Sequence, residues 1–139
     1  MSRHRSGLLD TSVILALSRV DPDAMPEMPR ICAITLAELA VGPQVARDDA
    51  ERALRLAQVQ QAEADFDPLP FDAPAARAFG LVAADLRGRG RKVAARAYDA
   101  MIAAVALANG LPLYTCNARD FEGIRGLEVV AVPAPDVPR

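Results

Sequence analysis

Short apolar runs alternate with longer helical stretches along this chain, and that alternation constrains the fold more than any other feature. "GLL" (7–9) leads into the helical "VILAL" (13–17). "ICAIT" (31–35) is β-branched and short, the pattern of a second strand, and runs into "LAELAVG", a helix that Gly42–Pro43 should stop. "ARDDAERALRLAQVQQAEADF" places Ala50, Ala53, Leu54, Ala57 and Ala64 at the spacing of an amphipathic helix. "DPLPF" (67–71) holds two prolines and reads as a short strand or extended edge, not a central strand. A helix capped by Asp72, with Pro74 in its first turn, should then run to Gly88 and Gly90. The helix "RAYDAMIAAVALANG" follows, and after it come strands over 111–117 and 126–132. The segment 21–30, with three prolines, reads as a loop, and the proline-rich end as a frayed tail. Strands separated by helices imply a parallel sheet with right-handed crossovers. The expected fold is a three-layer α/β/α domain with a short, mostly parallel central sheet, and residues 1–139 form one domain.

Composition excludes several classes. No apolar segment approaches the roughly 20 residues that span a bilayer, and Asp10 interrupts the only signal-like stretch. A cytoplasmic setting is expected, with no membrane association. The single histidine, His4, rules out zinc sites and acid–base pairs built on histidine. Cys32 and Cys116 fall in strand regions without metal-type spacing and read as small buried hydrophobes in a reducing compartment. A net charge of −2 gives no global basic footprint, so a polyanion would have to be held locally.

Most acidic residues fall on polar helix faces or in loops, where they read as solvated surface charge. Four positions differ. Asp10 closes the first strand, in "SGLLDTSVILAL", and can serve as a helix N-cap or as a metal ligand at the carboxyl edge of the sheet. Glu38 stands among apolar neighbours in "ITLAELAVG", in the first turn of the helix expected after the second strand. Asp99 lies near the start of a helix apolar on nearly every face; such a helix is buried, so Asp99 must be paired, protonated or metal-bound. Asn117 and Asp120 follow the next strand, in "YTCNARDF". Each position alone is explained by a cap or by an acid favouring the helix dipole. Together they gather carboxylates at one sheet edge, where they would raise one another's pKa unless a hard cation bound them. Mg²⁺ or Mn²⁺ prefers such oxygen donors, and a site without histidine suits phosphoryl chemistry.

With these residues placed, "LLDTSV", "ITLAELAVG", "YDAMIAAVA" and "LYTCNARDF" resemble, in order and spacing and across about the whole chain, the PIN-domain ribonucleases, and within them the VapC-type toxins of bacterial toxin–antitoxin pairs. The resemblance implies a Mg²⁺-dependent endoribonuclease (Mn²⁺ as the other candidate ion) that hydrolyses RNA through a metal-activated water. It implies homodimerisation, and inhibition by a VapB-type antitoxin whose C-terminal segment occupies the acidic groove. The family's acidic residues map onto Asp10, Glu38 and Asp99, and its fourth position onto the segment Asn117 to Asp120. Asn117 would supply a carbonyl oxygen or orient a water, and Asp120 would complete the charge. A shared arrangement is expected, with Asn117 nearest the site. Thr11 and Ser12 are expected to orient Asp10, and Thr115 to act beneath Asn117.

"RGRGRKVAAR" sets Arg87, Arg89, Arg91, Lys92 and Arg96 just before the Asp99 helix. It is either a solvated loop or a clamp on RNA phosphates. The amphipathic helices over 50–64 and 75–86 are candidate dimer or antitoxin surfaces, although core packing gives the same pattern. Other readings are a non-toxin PIN-like nuclease and an α/β phosphotransfer or binding domain. The haloacid-dehalogenase pattern wants an acid at the position of Ser12, and a receiver domain wants a lysine at a late strand; neither is present.

Overall fold

The computed structural model describes residues 4–91 and 96–134. Strand β1 (Ser6–Leu9) is central and pairs in parallel with β2 (Met28–Arg30) on one side and β3 (Leu113–Thr115) on the other. Beyond β3 lies β4 (Val129–Ala131), also parallel, so the sheet order is β2-β1-β3-β4. Successive side chains leave a strand on opposite faces. Leu8 and Leu113 therefore enter one core and Leu9 and Tyr114 the other.

Helices cover both faces. On one side α4 (Ala73–Gly88) and α5 (Ala97–Ala108) pack together over Leu8, Leu113 and Phe121. On the other, α1 (Thr11–Leu15) and the paired helices α2 (Ala33–Gln44) and α3 (Asp49–Asp65) enclose Leu9, Val13, Leu39 and Tyr114. The three-layer expectation holds. Helix α5 is buried from Ile102 to Val105 and on to Ala106; full burial of one Ile or Val contributes about 1.5–3 kcal/mol. Among the described residues no helix is long and apolar enough to cross a membrane.

Two expectations fail locally. The second strand is not 31–35 but Met28–Arg30, inside the segment expected to be a loop. As an edge strand, β2 tolerates Pro29. Ile31 and Cys32 stay extended, and Cys32 forms a parallel bridge with Leu69; Leu69 donates to Ile31 and accepts from Ala33 at 2.9 and 2.8 Å. "DPLPF" is thus an extended edge. From Ala33 the chain is helical, because Ile34 and Thr35 find buried partners on the inner face of α2, and burial outweighs their strand propensity. Helix α2 also runs through Gly42–Pro43 to Gln44. Its end is supported by α3, where Arg55 donates to Gly42 O at 3.0 Å and Arg52 to Pro43 O at 3.4 Å. Those contacts add side-chain donors at the helix end, where intrahelical partners run out and Gly42 O also accepts the Val45 N–H at 3.3 Å.

Candidate active site at the carboxyl edge of the sheet

Asp10 stands at the junction of β1 and α1, where its cap role is realised. It caps α1 by accepting the Val13 N–H at 3.2 Å, yet it is only 4% exposed. Its Oδ1 also accepts the Ser12 hydroxyl at 2.6 Å, and its Oδ2 accepts the Thr115 hydroxyl at 2.5 Å. Ser12 Oγ in turn accepts the Cys116 N–H at 3.0 Å, and Thr115 Oγ1 accepts the Asn117 N–H at 2.9 Å. The ends of β1 and β3 are thus stitched together through one carboxylate. Burial pushes the Asp10 carboxyl up, and these hydrogen bonds pull against it.

Glu38 lies in the second turn of α2, not the first, because that helix starts at Ala33. Its Oε1 accepts the Thr11 hydroxyl at 2.6 Å. Thr11 therefore serves Glu38, whereas the sequence reading assigned it to Asp10. Thr35, fully buried and unremarked in the sequence, sits 3.4 Å from the Thr11 hydroxyl. Burial raises the Glu38 carboxyl, with Asp10 adding to the rise and Thr11 opposing it.

Asp99 occupies the first turn of α5. Its carboxyl is pushed up to about 6, first by burial and then by the charges of Asp120, Asp10 and Glu38, with Arg96 opposing. Carboxylates from three other segments therefore act on Asp99 at this edge. Asp120 lies in the 3₁₀ turn Ala118–Phe121 after β3. Arg96 Nη1 stands 2.5 Å from Asp120 Oδ1 and 4.0 Å from Asp99 Oδ2. Arg96, a candidate RNA contact in a stretch that also read as a solvated loop, sits as a counter-charge beside Asp99 and Asp120. Its spacing three residues before Asp99 was the available signal, since i and i+3 share a helical face. Asn117 is exposed at the start of the turn, and its carbonyl accepts the Asp120 N–H at 3.0 Å.

Of the other basic residues, Arg87 and Arg89 are exposed at the end of α4. Arg91 turns inward, donating to Asp120 O and Arg119 O at 3.0 Å each. Lys92 lies outside the described residues. Beside Glu38 a groove of about 260 Å³ is lined by Thr11, Leu15, Leu39, Arg55 and Gln58. Through Leu15 and Gln58 it adjoins a second, of about 340 Å³, that reaches Phe66.

Among the described residues, no three Asp, Glu, His or Cys side chains are drawn closely enough to enclose an ion as they stand. The donor chemistry nevertheless fits a hard divalent cation. The groups whose charges act on Asp99 are carboxylates, and among the described residues Arg96 is the counter-charge set against them.

The sequence profile of the PIN domain matches residues 7–127. Ribonuclease VapC5 of Mycobacterium tuberculosis is 37% identical over 130 residues, covering 91% of this chain and 93% of that protein. Ribonuclease VapC1 of Rickettsia felis is 30% identical over 133 residues, covering 93% and 98%. The crystal structure of VapBC-5, a member of the VapBC family of toxin–antitoxin systems from Mycobacterium tuberculosis, superposes with a TM-score of 0.80 at 37% identity, covering 92% of this chain and 99% of that one. With its parallel sheet and its acids at the carboxyl edge, the chain belongs to the PIN-domain family, among the VapC ribonucleases.

Proposed function

We propose that this protein is the endoribonuclease toxin of a type II toxin–antitoxin pair, in which Asp10, Glu38, Asp99 and Asp120 hold Mg²⁺, or Mn²⁺ in its place. The observation that carries the reading is placement: Asp10 on Thr115, Glu38 on Thr11, and Asp99 and Asp120 on either side of Arg96 gather at one sheet edge. A divalent ion there would supply an activated water and neutralise charge on the scissile phosphate. The chain's own residues do the positioning. Ser12 and Thr115 fix both oxygens of Asp10, and Thr11 fixes Glu38. Asn117, exposed, directly precedes the turn that carries Asp120. Exposed Arg87 and Arg89 are the phosphate contacts favoured by their position at the end of α4.

The VapBC-5 structure is of a toxin–antitoxin family member, and this chain pairs in the same way with a VapB-type antitoxin. The groove running from Glu38 past Leu15 towards Phe66 suits a segment with an apolar face. Homodimerisation through α4 would bury Leu81, 69% exposed on that helix. One domain spans the chain, and the free thiols of Cys32 and Cys116 agree with a reducing cytoplasm.

The test is Mg²⁺-dependent cleavage of RNA by the purified chain beside Asp99→Asn. The variant should fold, bind Mn²⁺ weakly and leave RNA intact, and expressing it without antitoxin should not arrest growth. Undiminished cleavage by folded Asp99→Asn would remove the site assignment.

A further inference from the structure

The stretch between α4 and α5 does more than add positive charge. Arg91 N donates to Leu86 O at 3.0 Å, which ties the residue to the end of α4. Its guanidinium then reaches 29 residues along the chain and forks onto two successive carbonyls, Nη1 to Asp120 O and Nη2 to Arg119 O. Two parallel N–H groups at fixed spacing are what a planar guanidinium offers and an ammonium does not. The next residues of the same turn are covered by Arg89. Gly123 has φ of +87°, and a Cβ there would lie 1.9 Å from Arg89 Nε. From the other side Arg96 pairs with the Asp120 carboxylate. Asp120 is thus held by its main chain on one flank and by its side chain on the other. A guanidinium committed to two carbonyls is poorly placed to serve as a phosphate clamp.

We propose that Arg91 is a positioning residue of the active site, a clasp whose fork on the Arg119 and Asp120 carbonyls fixes the Asp120 carboxylate opposite Asp99. The proposal rests on the reading of Asp120 as a metal ligand and separates Arg91 from the phosphate-binding role of its neighbours. Small displacements of such groups carry large consequences, because a site must hold its ligands to within about 0.5 Å.

The test uses the full chain carrying Arg91→Ala or Arg91→Lys, with three measurements on each. Hydrogen exchange in metal-free buffer should show lost protection over 117–123 while the core of α5 stays protected. Calorimetric Mn²⁺ affinity should fall about tenfold, as for other groups that orient ligands, with Arg91→Lys intermediate. The salt dependence of RNA binding, measured in an Asp99→Asn background, should keep its slope. Wild-type protection over 117–123 would overturn the clasp. So would a salt slope reduced by about one with Mn²⁺ affinity intact, the result expected of a phosphate contact. Lost protection with unchanged Mn²⁺ affinity would reduce Arg91 to a fold residue and equally overturn the proposal. If Arg91→Ala fails to fold, Arg91→Lys decides. A wild-type chain that binds no Mn²⁺ would instead defeat the metal-site reading, and the exchange data would still report the clasp separately.

Discussion

The Thr115 hydroxyl donates to Asp10 Oδ2 at 2.5 Å across 105 residues of chain, while both side chains are almost completely removed from solvent. Thr115 Oγ1 in turn accepts the Asn117 N–H, so one hydroxyl orders Asp10 and the entry to the turn that carries Asp120. Replacing Thr115 with Val keeps the shape and deletes both bonds. Leaving a buried carboxylate oxygen and an N–H unpaired should cost about 1–3 kcal/mol for each. Denaturant unfolding should show that loss for Thr115→Val, and Thr115→Ser should recover most of it. Equal stability of the Val variant and the wild type would show the bond to be energetically idle.

The pKa of Asp99 sets a pH dependence with a definite sign. Its carboxyl titrates near 6 in the folded chain, against an ordinary value of 3.8. Between those values the folded state binds more protons than the unfolded one, so stability falls as pH rises through that window. Asp10 and Glu38 are raised as well and push the same way. A shift of that size corresponds to at most about 3 kcal/mol. The effect is smaller here because the Asp99 side chain is 31% exposed and partly screened. Asp99→Asn should therefore be the more stable protein at pH 7 in metal-free buffer, and its stability should decline less between pH 4 and 6. Parallel stability curves for the two proteins would refute the assignment of the raised pKa to Asp99. Divalent-ion affinity should weaken as pH drops through about 6, because protons compete for the same oxygens.

The layers of this fold were legible because the strand and helix periods differ, and α5 is so uniformly apolar that only a buried position suits it. Asp10, Glu38 and Asp99 stood out for a related reason, as charges in segments otherwise bound for the core. The second strand was not legible. Met28–Pro29–Arg30 has neither alternation nor β-branching, and it becomes a strand only because β1 offers a free edge. Ala33–Thr35 looked like the end of a strand because the burial that makes these residues helical comes from distant residues. The pairing of Thr11 with Glu38 and the inward turn of Arg91 depend on contacts 27 and 28–29 residues apart in the chain. No local pattern encodes such distances, whereas Arg96 beside Asp99 was within reach of helical spacing.

Gly7 illustrates a constraint that composition conceals. In β1 it lies beneath the ring of Tyr114, and a Cβ added there would approach the ring to 2.4 Å, well inside contact distance. Tyr114 is 3% exposed and belongs to the core, so the ring has little room to withdraw. Gly7→Ala should destabilise the fold by about 1–3 kcal/mol, the usual cost of overpacking. The lesion lies at the far end of β1 from Asp10, so Mn²⁺ affinity of the folded protein should be unchanged. A Tm equal to that of the wild type would mean that Tyr114 moves freely.

The fourth position of the site separates Asn117 from Asp120. Asp120 contributes a charge that raises the Asp99 pKa, more strongly than either Asp10 or Glu38, and its carboxylate is gripped by Arg96. Asn117 is exposed, and its hydrogen bonds seen here run through the main chain: its N–H to Thr115 and its carbonyl to the Asp120 N–H. In the proposed metal site, charge proximity favours Asp120 as the ligand and Asn117 as a shaper of the turn, where the sequence suggested a shared arrangement with Asn117 nearest. Asp120→Ala should abolish most cleavage and weaken Mg²⁺ binding. It should also lower the Asp99 pKa, because the largest charge acting on it is gone. Asn117→Ala should retain cleavage within about tenfold of wild type, the lower range for groups that only orient ligands. Titration of Asp99 by NMR in the metal-free chain reads the electrostatic part, and Mg²⁺-dependent cleavage reads the chemical part. An unshifted Asp99 titration in Asp120→Ala, or a greater loss of activity in Asn117→Ala, would return the fourth position to Asn117.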